Sequence, residues 1–277
     1  MGNTIKLIAF DLDGTLLNSQ KELLPEVFNE LVRAKNSGVE LVPVTGRFWD
    51  AVPENVRSLE FINYAITVNG AEVYDIKNSK VLSRAEIPLK NAITVMRVFD
   101  GLPVIYDCIV KGMSFMSKEH YAKIKEFALD EVQYKMLRDL RNPVNDLQEF
   151  IRARGENVQK MQMFTMNKNL RADLLKALAV IFPSNAISSS VPNNIEINDQ
   201  NANKGAALKI LSEKLCVAPE NVMAFGDGLN DLSMIKFAGV GVAMNNAVDE
   251  LKAVANYVTE NDCDNAGVAE GIKKFCA

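Results

Sequence analysis

Two short segments far apart in this chain carry four acidic residues. Asp11 and Asp13 sit in Asp11-Leu12-Asp13-Gly14-Thr15, and Asp227 and Asp231 in Gly226-Asp227-Gly228-Leu229-Asn230-Asp231, each segment just past an apolar run. If those runs are neighbouring parallel strands, the four carboxylates converge at one edge of a sheet. Like charges crowd there only where a hard cation or a proton offsets their repulsion. Oxygen ligands around a hard divalent cation are what Mg²⁺-dependent phosphoryl transfer requires. In extended chain, residues two apart point to the same side, so Asp11 and Asp13 project together past a strand's carboxyl end, where open α/β sheets bind ligands. Two adjacent acids can divide the labour. One stays ionised as nucleophile or metal ligand while the other is kept protonated to donate to a leaving group. An Asp-Gly surface turn is the bland alternative, and an apolar strand leading straight into the motif argues against it.

Other residues fit the same chemistry less specifically. Thr45-Gly46-Arg47 ends the next apolar run, and a hydroxyl with exposed backbone N–H groups at such a tip can hold phosphoryl oxygens. Lys204 falls in the first turn of a helix, where the helix dipole disfavours a cation. It therefore needs an anionic partner, either Asp11 or a bound phosphate. Asn230 and Asp231 open a helix; capping would use one of them, and the run supplies more acid than that.

The elements that must position these residues can be read from periodicity. Residues 5–10 form an apolar strand ending at Asp11, a helix opens at Pro25 and stops at Gly38, and residues 39–44 form a second strand. Residues 65–68 read as a third strand, followed by an Asn69-Gly70 turn into residues 71–74. Strand, helix, strand with short connections starts a parallel α/β sheet. From about residue 82 the order becomes hairpin-like, with helices at 88–99, 120–129 and 170–181 and strands at 104–109, 113–116, 158–166 and 186–191. Six of the eleven methionines fall in this middle third, as gap-filling core in preference to an adaptable binding surface. After Asn194 the α/β rhythm resumes, with strands at 195–197, 222–225 and 240–244. The expected fold is α/β: a Rossmann-like parallel-sheet core built from residues 1–83 and 193–277, with an inserted α+β cap at 84–192.

Bulk properties narrow the function. A chain of 277 residues has room for two domains, and 48% hydrophobic content supports a sizeable core. A net charge of −4 without a basic stretch argues against nucleic acid as a partner. Cysteines 108, 216, 263 and 276 show no metal-binding spacing and read as thiols in a reducing compartment. His120 stands alone, which excludes multi-histidine metal sites. The start fits neither a signal peptide nor, with Lys6 at the sixth position, a myristoylation site, and no apolar run approaches the ~20 residues of a membrane span. These features point to a cytoplasmic, soluble protein; oligomeric state is not encoded in any of them.

Asp-Leu-Asp-Gly-Thr-Leu-Leu, Val-Thr-Gly-Arg, Asn-Lys-Gly and Gly-Asp-Gly-Leu-Asn-Asp, in that order, resemble the four motifs of the haloacid dehalogenase-like hydrolase superfamily. Asn69-Gly70-Ala71 and Asn193-Asn194-Ile195-Glu196-Ile197 resemble its Cof-type sugar-phosphatase branch. The resemblance implies a Mg²⁺-dependent phosphatase acting on small phosphorylated metabolites, with a cap that closes over the core and chooses the substrate. It implies Asp11 as a nucleophile forming an aspartyl-phosphate, and Asp13 as the acid for the leaving alkoxide and then the base for water. Leu12, Thr45, Gly46, Arg47, Asn69, Lys204 and Asn230 fall at positions for substrate or phosphate. Asp11, the Asp13 backbone carbonyl and Asp227 would hold Mg²⁺, with Asp231 in support. A phosphomutase using the same intermediate and a phosphate-sensing binding module are the rival readings. Asn245 stands where the family has a glycine, and asparagine is the next best residue for a left-handed backbone there.

Overall fold

The computed structural model describes residues Thr4–Cys276; the readings made on the first residues fall on Met1–Asn3, outside them. The chain divides into two compact units. One runs through Arg84 and resumes at Asn203, and the other is Ala85–Ala202.

In the first unit, β1 (Leu7–Phe10) and β2 (Glu40–Pro43) pair in parallel, Leu7 opposite Glu40. All four residues of β1 are buried, as expected for a strand covered on both faces. The helix Pro25–Asn36 that joins them has proline in its first turn and buries Val27, Leu31 and Ala34. Next come β3 (Tyr64–Thr67), β4 (Glu72–Asp75) and β5 (Lys80–Arg84), an antiparallel three-stranded sheet. The third strand is thus a hairpin strand, as the Asn69-Gly70 turn implied, and a parallel Val44–Ile66 bridge joins it to the end of β2.

The second unit contributes six strands. They are β6 (Ile105–Val110), β7 (Met113–Ser117), β8 (Arg141–Val144), β9 (Lys160–Phe164), β10 (Asn185–Ser188) and β11 (Asn194–Asp199), in the order β10-β11-β9-β6-β7-β8. All its pairings are antiparallel except β7 with β8. One sheet face packs on Ala92, Val95, Met96, Phe99, Ile151 and Leu178 from three helices. The other carries a smaller cluster with Ile124 and Leu137. The expected return to the core at residue 193 is corrected here: β11 lies antiparallel between β9 and β10, so the boundary falls after Ala202. Of the six methionines, Met116, Met161 and Met163 are buried, whereas Met113, Met136 and Met166 are exposed. Gap-filling accounts for half of them.

Back in the first unit, β12 (Val222–Gly226), β13 (Val240–Ala243) and β14 (Tyr257–Val258) complete a parallel sheet of order β14-β13-β12-β1-β2. β1 pairs with β12 in register, Phe10 opposite Phe225. The strand order runs outward in both directions from the β1/β12 boundary. Ligands bind beyond the carboxyl ends of strands at such a switch point. Among the described residues, no helix is long and apolar enough to cross a membrane.

In the second unit the Arg141 guanidinium donates to Asp107 Oδ2 at 2.9 Å, with both side chains nearly inaccessible to solvent. Arg141→Met leaves Asp107 buried and uncompensated, so the expected loss of stability is about 3–5 kcal/mol in chemical denaturation. Replacing both partners by apolar residues, Arg141→Met with Asp107→Leu, should recover most of that loss; a double variant as unstable as the single one contradicts the argument.

Candidate active site

Asp11 follows β1 directly, and its backbone N–H donates to Phe225 O, which continues the β1–β12 ladder one residue past the strand. Asp227 follows Gly226, the last residue of β12. In-register pairing therefore places these two carboxylates side by side, although 216 positions apart in number (227 − 11). Gly14 has φ +83°, and a Cβ there would lie 2.5 Å from Asp227 Oδ2. The chain after Asp13 thus passes against Asp227 only because residue 14 has no side chain. Thr15 Oγ1 donates to Asp227 Oδ1 at 3.0 Å, and Asn246 Nδ2 donates to Gly14 O.

Lys204 is the first residue of the helix Lys204–Lys214, behind the N-cap Asn203, whose side chain accepts from Ala206 N. Its ammonium is fully buried and donates to Asp11 Oδ1 and Asp231 Oδ1, both at 2.6 Å. The two partners account for a cation at the wrong end of a helix: their combined charge outweighs burial and raises its pKa. Asp231 also accepts from the backbone N–H groups of Asp227 and Gly228 through Oδ2. It therefore caps the turn after β12 and anchors Lys204 at once.

Asp13 departs from expectation. Its carboxylate turns to Arg47, which donates Nε to Oδ2 and Nη2 to Oδ1, each at 2.8 Å, and to Lys21 Nζ at 2.9 Å from Oδ1. The cluster of mutually close carboxylates is Asp11, Asp227 and Asp231, so three of the four acids converge. Burial raises the Asp13 pKa, but the hydrogen bonds and charges of Arg47 and Lys21 outweigh it and hold the group at about 2. Asp11 shifts the other way, raised mainly by burial, with Asp231 and Asp227 adding to it against Lys204. The two acids of the first motif are thus shifted in opposite directions, Asp11 upward and Asp13 downward, where the expected division kept the second acid protonated.

The remaining expected residues fall around this centre. Arg47 is committed to Asp13 and, through Nη1, to Ala51 O, so it does not stand open to a phosphate. Thr45 is buried, its Oγ1 accepting from Arg47 N and its carbonyl from Asn69 N. Gly46 lies against Asn69, where a Cβ would stand 2.8 Å from Oδ1. Asn69 has φ +59°, a conformation asparagine tolerates, and its Oδ1 accepts from Asn230 Nδ2 at 3.4 Å. The Leu12 side chain is fully buried, which leaves only its backbone for any ligand. Asn245 is not left-handed; its N–H donates to Thr259 Oγ1 and its amide to Glu260 O, so the loop is held by hydrogen bonds. His120 lies in the second unit against Tyr106, ring centroids 4.6 Å apart. Sequence reasoning missed Lys21 and Asn246, whose roles arise from loop contacts that no spacing encodes. Thr15 stood within the first motif and was left without a role.

Asp11 and Asp227 each commit one side-chain oxygen to a protein donor and, among the described residues, have no such partner on the other. Asp231 has both oxygens engaged, which makes it a support and not a ligand. Hard carboxylate oxygens in a crowded, desolvated group suit Mg²⁺, so the donor set fits that ion with Asp11 and Asp227 as side-chain ligands.

Residues 8–272 match a family model described as haloacid dehalogenase-like hydrolase. The chain is 33% identical to the 5-amino-6-(5-phospho-D-ribitylamino)uracil phosphatase YcsE of Bacillus subtilis over 276 residues, 98% of this chain and 96% of that one. It is 31% identical to the pyridoxal phosphate phosphatase YbhA of Escherichia coli, covering 92% and 93% of the two chains. A solved haloacid dehalogenase-like hydrolase from Bacteroides thetaiotaomicron superposes with a TM-score of 0.83 at 28% identity, over 98% of this chain and 99% of the other. The subclass IIB sugar phosphatase BT4131 shares the fold, with a TM-score of 0.80 at 23% identity over 98% of each chain.

Burial and the Asp231 charge raise the Asp227 pKa from 3.8 to about 6. A carboxyl with a raised folded-state value stabilises the fold below its unfolded pKa, and that contribution is lost as pH rises through the folded one. Metal-free protein should therefore lose roughly 1–3 kcal/mol from this group between pH 4 and pH 7. Asp227→Asn should flatten that slope, and Mg²⁺ should raise Tm more at pH 8 than at pH 5. Equal Mg²⁺ shifts at both pH values in thermal melts would remove Asp227 from the metal site.

Proposed function

Because the chain belongs to the haloacid dehalogenase-like hydrolase family and is a phosphatase, we propose that it hydrolyses small organic phosphate monoesters, sugar phosphates foremost, with Mg²⁺ and by way of a phosphoryl group carried on Asp11. The observation that carries this reading is the juxtaposition of Asp11 and Asp227 at the β1/β12 boundary, with buried Lys204 on Asp11. The relatives named above act on phosphorylated small molecules, and a sugar phosphatase shares the fold. Four unpaired cysteines suit a reducing, cytoplasmic compartment.

In the first step an Asp11 carboxylate oxygen bonds to phosphorus as the ester P–O bond breaks, and the departing alkoxide takes a proton from Asp13. In the second, water attacks phosphorus and gives its proton to Asp13, the bond to Asp11 breaks, and inorganic phosphate leaves. Lys204 orients Asp11 throughout, and Thr45, Asn69 and Asn230 are the side chains assigned to the phosphoryl oxygens. Mg²⁺, held by Asp11, Asp227 and the Asp13 backbone carbonyl, supplies neutralisation of phosphoryl charge. The conformation described above suits Asp13 as the base of the second step. For the first it must carry a proton, and the negative charge of an entering phosphate dianion favours the protonated form. The Ala85–Ala202 unit, which contains none of these residues, is assigned the choice among leaving groups.

Asp11→Asn should abolish phosphate release, since an amide does not attack phosphorus; activity within tenfold of wild type overturns the assignment. Asp13→Asn should lower kcat by ~10²–10⁴-fold with little change in binding. Release of free phosphate from a sugar phosphate, measured against formation of an isomeric sugar phosphate, separates hydrolysis from mutase chemistry.

A further inference from the structure

Lys21 lies in a tight polar loop that follows the first motif. Asn18 builds this loop. Its side-chain oxygen accepts from Gln20 N and Glu22 N, its N–H donates to Glu22 O, and its carbonyl accepts from Lys21 N. Ser19 N donates to Asp264 Oδ1, and Asn55 Nδ2 to Lys21 O, so the loop is held at both flanks. At its tip Lys21 adopts φ +65°, a left-handed conformation that a lysine takes at a cost and that glycine or asparagine takes freely. The Lys21 side chain is half exposed and meets the Asp13 carboxylate at 2.9 Å. An ion pair that exposed contributes little stability, so stability does not explain why a lysine occupies a position that disfavours it. Orientation of Asp13 does.

Arg47 Nη2 donates to Oδ1 and Lys21 Nζ stands 2.9 Å from that same oxygen as an ion-pair partner, whereas among the described residues Oδ2 meets only Arg47 Nε, so Oδ2 is the less engaged oxygen. We propose that Lys21 is a positioning residue for the reaction: together with Arg47 it fixes the Asp13 carboxylate so that Oδ2 is the oxygen that exchanges the proton with the leaving group and with water. The inference rests on the reading of Asp13 as the acid–base group.

The test compares Lys21→Asn, which keeps the left-handed backbone comfortable and removes the cation, with Lys21→Arg, which keeps a cation. Single-turnover release of phenol from phenyl phosphate and of nitrophenol from p-nitrophenyl phosphate, with enzyme in excess and Mg²⁺ present, reads the first chemical step. Lys21→Asn, although it eases protonation of Asp13, should slow phenol release by roughly 10–100-fold through lost orientation, slow nitrophenol release less, and leave KM within about twofold. Lys21→Arg should restore most of the rate. In an Asp13→Asn background Lys21→Asn should cost less than twofold, because its effect passes through Asp13. Wild-type phenol release in Lys21→Asn, or the same loss in the Asp13→Asn background, overturns the positioning role while leaving the phosphatase reading intact. A fully active Asp13→Asn variant removes the acid–base reading of Asp13 and the positioning role with it.

Discussion

One fully buried ammonium between two buried carboxylates governs this architecture. Lys204 bonds Asp11 and Asp231 at 2.6 Å each, and these three side chains come from the end of β1, the start of a helix after the second unit, and the turn after β12. Removing any of them strands charge in a place water does not reach. That interaction fixes Asp11 relative to β12 and fixes the turn that carries Asp227. Only with both fixed do the free oxygens of Asp11 and Asp227 face the same space.

The charge balance around this centre is uneven, and the unevenness is what makes it reactive. Lys204 offsets part of the negative charge of Asp11, Asp227 and Asp231; burial first, and then the remaining negative charge, raises the pKa values of Asp11 and Asp227. The Mg²⁺ proposed above would restore the balance. Asp13 has its own pair of cations a short way off, so the two acids of the first motif live in opposite electrostatic settings although one residue separates them. Distinct environments of this kind let chemically identical side chains take distinct roles.

Much of this was legible in the sequence. Apolar strands ending in Asp11 and Asp227 predicted the convergence, and a lysine at a helix start predicted its own anionic partner. The parallel core and the change to hairpin order near residue 84 were equally plain. What the sequence hid were facts of tertiary pairing. Residues 194–199 read equally well as a core strand or a strand of the inserted unit, because a short apolar run does not say which neighbour it pairs with. The direction of the Asp13 carboxylate depended on Lys21 and Arg47 reaching it from two loops. Extended-chain geometry placed Asp11 and Asp13 on one side, but the chain already turns at Leu12, and the two side chains part company.

The pairing of β1 with β12 also bears on how the chain reaches its native state. The strand that carries Asp11 leaves the ribosome more than two hundred residues before its central partner. Meanwhile Ala85–Ala202, which is continuous in sequence and has its own apolar clusters, has all its pairing partners in hand. The catalytic sheet must wait with one long edge of β1 unpaired, an apolar strand open to wrong partners. Closing so large a loop adds little further entropy once the inserted unit is compact. Order of synthesis thus lets the inserted unit be complete first, and the sheet that carries Asp11 and Asp227 last.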